Sequence, residues 1–576
     1  MLLILLCCLT SWGGGNTCLP GWSGQLLVPA PTTGLPGWSV ESDYQSFGTL
    51  STAVDSSGTN IQLNWNIGAV VLDQGTPKNR YVQAYYEFSP PIDLSAADIF
   101  GVTLRGDSDT PANSANFVTI MCTDNNGVFF GYDFPGENHG INQVTRWLPE
   151  LPIPKKAFRY FWGGSGSNPA LDWSNIQKLF VVVKPKDSSH GGGSGRLSIG
   201  RLQYDQAASW PRQKAFATIP NRAKIQHASS KAIQYLLTAQ QPNGLLTSWR
   251  EEYSPTAVLY DQALALIALT REGVWVLPHA GSWGRSVALT CEGVWANGAP
   301  ANACAVASRK LAQFLVTSQK SDGHWARRWN PLTGAELPSS APLWVGDQAW
   351  CVMALTEYAL RSGNVSARTA AAKGAQWLAG FIEPSGAIQD CISTEGTVDV
   401  WWAMISTLRF SDAEKIKSYL LNNVWDADLH YWWVDAKSDW APSVAMDCAT
   451  WLSAFARHPL VAHPERGLAA LSFVRRTLLT TSDDGKLCGF DGLGPVSIWN
   501  EGTAQYVAAG GEDASVFLET LLVQQNSDGS MPGSPDEWST DAFGWLSKMS
   551  GVAPTAWLYF ATKGLPFPQC QSQHQW

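Results

Sequence analysis

Residues 346–360, GDQAWCVMALTEYAL, set one acid, Asp347, at the head of a run that is small or apolar on nearly every side. At helical periodicity such a run has no polar face to offer water, so it predicts a helix enclosed by other helices. Five further segments share this character: YDQALALIAL (260–269), TVDVWWAMISTL (397–408), AMDCATWLSAFA (445–456), NEGTAQYVAA (500–509) and GVAPTAWLYFA (551–561). Between them run charged, amphipathic segments: RAKIQHASSKAIQYLLTAQ (222–240), ASRKLAQFLVTSQ (307–319), ARTAAAKGAQWLAGF (367–381), SDAEKIKSYLLNN (411–423), ERGLAALSFVRRTLL (465–479) and EDASVFLETLLVQQ (512–525). Six of each kind in strict alternation is an internal repeat, with apolar helices inside and amphipathic ones covering them. The predicted fold of residues 220–566 is an all-α (α/α)6 toroid.

The spacing of the leading acids supports the repeat. Asp347 to Asp399 is 52 residues, Asp399 to Asp447 is 48, and Asp447 to Glu501 is 54. Asp261 to Asp347 is 86, which predicts an insertion of about thirty residues in EGVWVLPHAGSWGRSVALTCEGVWANG (272–298), of the size that shapes a rim. Parallel inner helices bring Asp261, Asp347, Asp399, Asp447 and Glu501 to one mouth. An acid in a first turn also stabilises a helix through its dipole and caps free N–H groups. Five at one mouth, joined by Glu251, Glu252, Asp536, Glu537 and Asp541 from loops, exceed what capping requires.

The loops into that mouth are aromatic: Trp249, Tyr253, Trp325, Trp329, Trp344, Trp432, Trp433, Trp440, Trp499, Trp538 and Trp545. Indole faces stack on sugar CH groups and carboxylates bond hydroxyls, so the expected ligand is a neutral poly- or oligosaccharide. The competing use of these rings is packing between helices. Arg250, beside Glu251 and Glu252, is placed to hold substrate or tune an acid.

The first part of the chain has a different grammar. From residue 36 to 205, short alternating runs such as NIQLNWNIG, RYVQAYYEF, NFVTIMCTD, KLFVVVKP and GRLSIGRLQY are separated by Gly, Asn, Asp, Ser and Pro, which predicts an antiparallel β-sandwich. Pro211 in AASWPRQKAF marks the change of period. The whole chain is therefore read as multidomain, a β-sandwich followed by a toroid. Residues 1–25 resemble a signal leader, although the first basic residue is Lys78. They imply a secreted or periplasmic protein, with lipid anchoring at Cys7 or Cys8 as the alternative and no stable membrane span. The cysteines form no CxxC pair, and a loop disulfide such as Cys291 to Cys304 is compatible with export. A net charge of −9, with no basic run, argues against nucleic acid as a partner.

In strand order, from YYEFSPPIDLSAADIFGVTLRGD through LPIPKKAF and LDWSNIQKLFVVV to GRLSIGRLQY, the β-rich part resembles the galactose-binding-like jelly rolls of family 11-type carbohydrate-binding modules. That resemblance implies glycan binding on a concave face, for which Trp65, Tyr85, Tyr132, Trp147 and Trp162 are available. The helical part resembles secreted bacterial (α/α)6-barrel glycoside hydrolases. LTAQQPNGLLTSW, LVTSQKSDGHWARRW and LLVQQNSDGSM look like the Gln/Asp-Gly-Trp turns of terpene cyclases, read here as structural ties between helix ends.

Glycoside hydrolysis needs one carboxylic acid to protonate the leaving oxygen and one carboxylate to activate water or attack carbon. Asp261 and Glu501 are the first candidates, with Glu252, Asp347 and Glu537 next. Trp249, Arg250, Tyr253, Trp325, Trp344, Asp399, Trp433, Asp447, Trp499 and Trp538 are candidate substrate-binding residues. The resemblance implies inversion, with the two carboxyls about 6.5–9.5 Å apart. Helix N-termini favour the carboxylate form, so an inner-helix acid suits the base and a loop acid, Glu252 or Glu537, the proton donor. A lyase on the same scaffold would use Tyr253, Tyr260 or His324 with Arg327, and a third reading is a non-catalytic glycan binder. No cofactor is required. A structural calcium in the β-rich part, or at DGLG (491–494), is the one metal expectation.

Overall fold

The computed structural model describes residues 25–28, 35–43, 46–55, 58–67, 72–73, 76–77, 80–106, 116–133, 151–155, 158–164, 170–185, 193–205, 221–251, 255–273, 275–276, 288–289, 300–338, 344–389, 391, 393–427, 429–434, 444–482, 484–492, 497–536 and 548–565. They fall into two compact units. Described residues of the first lie within Met1–Lys214 and Arg476–Ile498. Those of the second lie within Ala215–Arg475, Trp499–Glu537 and Leu546–Trp576.

The first unit is β-rich: β1 (Gln25–Leu26), β2 (Trp38–Ser42), β3 (Phe47–Asp55), β4 (Gly58–Ile67), β5 (Leu72–Asp73), β6 (Thr76–Pro77), β7 (Val82–Ile92), β8 (Ile99–Arg105), β9 (Asn116–Asp124), β10 (Phe129–Asp133), β11 (Leu151–Pro154), β12 (Arg159–Trp162), β13 (Ile176–Pro185) and β14 (Gly193–Asp205). One antiparallel sheet runs β11-β8-β14-β4-β3, with β1 also on β14; the other runs β12-β10-β9-β13-β7-β2. In β4 the period of two is plain, since Ile61, Leu63, Trp65 and Ile67 are buried while Asn64 and Asn66 are exposed. These residues join Val118, Ile120, Leu179, Val181, Leu197 and Ile199 in one core. β13 is apolar on both faces, and Phe180 and Val182 form a smaller cluster with Met121.

The second unit contributes the helices: α1 (Arg222–Ala239), α2 (Leu259–Glu272), α3 (Pro300–Ser318), α4 (Val345–Ser362), α5 (Val365–Ala379), α6 (Thr394–Ser406), α7 (Phe410–Asn422), α8 (Met446–Arg457), α9 (Pro464–Thr477), α10 (Asn500–Ala508), α11 (Ala514–Gln524) and α12 (Val552–Lys563). The last residues of α9 pass into the first unit. Even-numbered helices pack in succession, α2 on α4, α4 on α6, α6 on α8, α8 on α10 and α10 on α12, and α12 returns to α2. The ring of six closes. In α4 every residue from Val345 to Ala359 is buried, whereas α1 buries only a stripe that includes Ala228, Ala232, Tyr235 and Leu236. Among the described residues no helix is long and apolar enough to cross a membrane.

One turn recurs around the outer helices. Gln240 Nε2 donates to the Gly244 and Ala307 carbonyls, Gln319 to Gly323 and Ala370, and Gln525 to Gly529 and Ala228. Each glutamine thus closes its own turn and bonds the next outer helix, and the last reaches back to α1. The glycines have φ of +100°, +117° and +92°, and a Cβ would lie 2.6, 2.6 and 2.1 Å from the carbonyl oxygens of Lys310, Lys373 and Lys231. Only a residue without a side chain fits both the backbone angle and the approach. Behind these turns Gln262 pairs with both backbone groups of Leu246, and Gln348 with both of Trp325. The Asp-Gln pairs of α2 and α4 therefore combine an acid with a loop clamp.

The structure corrects two expectations. Cys304 is a buried free thiol, so it is not joined to Cys291, which lies outside the described residues. Trp65 and Tyr132 belong to the sandwich core and are unavailable to a glycan. Trp162 is 46% exposed and stacks on Phe129 at 4.8 Å, so it remains accessible, while Trp147 lies outside the described residues. As for the metal expectation, Asp491 accepts from the Gly492 and Ser497 N–H groups, and no metal-competent cluster occurs among the described residues.

The turn geometry yields a stability test. Gly323→Ala should cost about 3 kcal/mol or more, because backbone strain and a backbone clash combine. Gly564→Ala, with φ +59° and nothing within 4 Å, should cost only about 1–2 kcal/mol. Urea unfolding followed by tryptophan fluorescence measures both.

Candidate active site

The first turns of five ring helices carry acids: Asp261 on α2, Asp347 on α4, Glu395 on α6, Asp447 on α8 and Glu501 on α10. Asp399 follows Glu395 by one turn. Glu395 had no place in the sequence reading, which began that helix at Thr397. Ser393 in fact caps it, its hydroxyl accepting from Gly396 N–H at 3.1 Å, so the helix starts earlier and Glu395 and Asp399 share a face.

Three of these acids face one another. Glu395 and Asp447 are neighbours across the α6–α8 boundary, and Asp447 accepts from Cys448 N–H at 2.8 Å. Burial, then the Asp447 and Asp399 charges, raise Glu395 well above the usual carboxylate range. Asp399, 1% exposed, is likewise raised well above its usual range by burial and by the Asp447 and Asp347 charges. Asp447 is raised by burial. At these three acids burial outweighs the helix dipole. A helix terminus is worth about 0.3–1 kcal/mol, less than the several kcal/mol lost when a carboxylate leaves water.

Asp347 has a different partner. Arg327 Nε donates to its Oδ2 at 2.7 Å, and burial still raises its pKa against that charge. At the other end of the helices, acids are neutralised. Burial pushes Glu357 up, but the Arg271 and Arg361 guanidiniums outweigh it and hold the carboxyl below its usual value. Glu272 meets Lys563 and Tyr559.

Glu501, 2% exposed, accepts at Oε1 from the Tyr260 hydroxyl at 2.7 Å and from Gln505 Nε2 at 3.4 Å. Trp557 Nε1 donates to the Tyr260 oxygen at 2.9 Å, and Thr450 donates to Gln505 Oε1 at 3.2 Å. Tyr260 also meets Trp350 edge to face, and Trp350 meets Trp451 and Trp557. The sequence paired Asp261 with Glu501, whereas the α2 residue that reaches Glu501 is Tyr260. Asp261 is buried and lies near Tyr235 of α1, a phenol that burial pushes up to about 12.

The predicted aromatic and cationic contacts separate similarly. Trp325 is fully buried with its indole N–H on the Leu315 carbonyl at 2.6 Å, which corrects its assignment to substrate. Trp329 and Trp432 are fully buried as well, Trp249 packs over Gly551, and Trp499 packs over Gly502. Trp344 and Trp433 are half-buried. Arg250 bonds Glu251, Asp528 and Ser550. Asp536 is buried. Glu252, Tyr253, Glu537, Trp538, Trp440, Asp541 and Trp545 lie outside the described residues.

No family model and no curated protein matches the chain. Solved structures do show likenesses. A glycosidase variant in complex with glucose aligns at 12% identity over 60% of this chain and 98% of its own, TM-score 0.43. A sugar epimerase from a ruminal bacterium aligns at 9% over 60% and 99%, TM-score 0.45. The family 11 carbohydrate-binding module of a cellulosomal cellulase of Clostridium thermocellum aligns at 14% over 33% and 97%, TM-score 0.24. At these identities and scores, the likenesses assign neither activity nor residues.

The raised carboxyls have a measurable consequence for stability. A carboxyl with a higher pKa folded than unfolded binds more protons in the native state, so its contribution is fully present below the unfolded pKa of about 4. It is lost as pH rises through the folded value. Asp399→Asn, which keeps an acceptor and removes the charge, should flatten the decline in melting temperature from pH about 4 toward neutrality. At neutral pH it should equal or exceed the parent in stability.

Proposed function

We propose that the helical unit is an (α/α)6 toroid that hydrolyses glycosidic bonds in a neutral poly- or oligosaccharide, a β-glucan being the first substrate to test. The β-rich unit is proposed to be a jelly roll of the carbohydrate-binding kind, and the chain to be exported. One observation carries the enzymatic reading: acids at the C-terminal ends of ring helices meet cations, whereas Glu395, Asp399 and Asp447 at the N-terminal ends meet one another. Packing alone gives no reason to retain carboxyls whose neighbours raise the cost of charging them. Such groups, one protonated beside one ionised, are what general acid and base catalysis requires.

In this mechanism a protonated carboxyl gives its proton to the glycosidic oxygen as the bond to the anomeric carbon breaks. A carboxylate takes a proton from the water whose oxygen attacks that carbon. The remaining negative charge stabilises the oxocarbenium-like transition state. Inversion, with a wide separation of the two groups, is the expected stereochemistry. Glu501 and the Glu395–Asp447 pair are the foremost candidates, with Asp261, Asp347, Glu252 and Glu537 to be tested beside them.

The lyase reading is weaker. Burial, with the Glu501 charge, raises the Tyr260 phenol well above its normal value, and its proton is committed to Glu501, which makes it a poor base. Arg327 is committed to Asp347, and His324 Nδ1 lies 2.7 Å from Asp322.

Reducing-end release across neutral and acidic polysaccharides tests the proposal. Activity on a neutral glucan should fall about 10²–10⁴-fold in Glu501→Gln or Asp447→Asn with folding intact. Ultraviolet-absorbing products would establish a lyase instead. Binding without either product would establish a glycan-binding protein.

A further inference from the structure

We propose that Tyr260 is a positioning residue that fixes Glu501 as the proton acceptor of the site, and hence as the base rather than the acid of the hydrolysis. This assignment rests on the hydrolase reading and settles a role which that reading leaves open.

The chain of bonds starts from a group whose direction is fixed. An indole N–H can only donate. Trp557 Nε1, on α12, lies 2.9 Å from the Tyr260 oxygen, so that oxygen accepts there. The single phenolic hydrogen is then left for Glu501 Oε1, 2.7 Å away on α10. Gln505, one turn along α10, brings its amide nitrogen to the same Oε1 at 3.4 Å. Thr450 Oγ1 of α8 lies 3.2 Å from the amide oxygen of Gln505 and can donate to it in that orientation. Turning the amide over would set its carbonyl against the carboxylate, two acceptors face to face. Oε1 thus takes two donated hydrogens from neutral groups, an arrangement that favours the charged form of a carboxyl.

Tyr260 itself cannot slip out of this role. Burial and the Glu501 and Glu395 charges keep its phenol protonated. Its ring meets Trp350 edge to face at 5.4 Å, which holds it in place across the ring. On α6 and α8, by contrast, Glu395 and Asp447 are neighbours, and burial raises both above the usual carboxylate range, which favours a proton on one of them. Glu501 is built to receive a proton from the attacking water, and the Glu395–Asp447 pair is the one disposed to carry one.

Tyr260→Phe removes the hydroxyl and keeps the ring. Protein carrying carboxyl-¹³C glutamate, with the Glu501 signal identified by its loss in Glu501→Gln, should show the Glu501 titration midpoint moving up by about one pH unit in Tyr260→Phe. The acidic limb of the pH profile of kcat/KM should move by the same amount, with KM little changed. Gln505→Met, which removes the second donor, should shift both in the same direction and stands in if Tyr260→Phe does not fold. A midpoint unmoved in both folded variants, in a protein that cleaves glycan, overturns the Tyr260 assignment alone. A protein that cleaves no glycan overturns the hydrolase reading and the base role with it, whatever the titration shows.

Discussion

A helix without a polar face has to be enclosed on every side, and the second unit follows from that constraint. Six such helices cannot all be buried in a flat layer unless the layer closes, and here α12 returns to α2. Small residues make the closure possible: Ala263, Ala265 and Ala268 on α2, and Gly374 of α5, where a Cβ would meet the Trp325 ring at 2.7 Å. The amphipathic helices lie outside, and three of their steps, α1 to α3, α3 to α5 and α11 to α1, are tied by a glutamine side chain and a left-handed glycine. The last of these ties, from Gln525 to Ala228, joins the two ends of the repeat.

Enclosure also dictates the electrostatics. A ring with no polar wall sets its charged side chains toward the ends of its helices, and there charge is expensive. At the C-terminal ends the cost is offset by Arg271, Arg361 and Lys563. At the N-terminal ends Arg327 serves Asp347, while burial raises Glu395, Asp399 and Asp447, the Asp447 charge raises the first two further, and Glu501 is held by a phenol and an amide. Opposite environments for chemically identical groups are the usual way to obtain a proton donor and a proton acceptor at one pH.

Much of the fold was legible because both of its periods were undisturbed. The alternation of Ile61, Leu63, Trp65 and Ile67 names a strand, and the apolar run from Ala349 to Leu355 names an enclosed helix. The leading acids were legible by spacing. Their roles were not, since spacing places a residue along a helix axis but does not choose its azimuth. Tyr260 and Asp261 are adjacent, and the structure sends the phenol to Glu501. Glu395 was hidden because Thr394 to Thr397 break the apolar pattern; the signal that could have found it is Ser393 as a cap followed by two acids four residues apart. Tryptophan content misled in a different way. A buried indole with its N–H on a carbonyl, as in Trp325 or Trp432, looks the same in sequence as one that faces a sugar.

The central claim is that the N-terminal ends of the ring helices are where a glycan is cut. Its most direct test is a crystal structure of the Glu501→Gln protein soaked with a β-glucan oligosaccharide. The account predicts sugar bound at that end, with a glycosidic oxygen within hydrogen-bond reach of a carboxyl from Glu395 or Asp447 and a water between the anomeric carbon and residue 501. Sugar bound only on the β-rich unit, with the N-terminal end of the ring empty at saturating ligand, would contradict it.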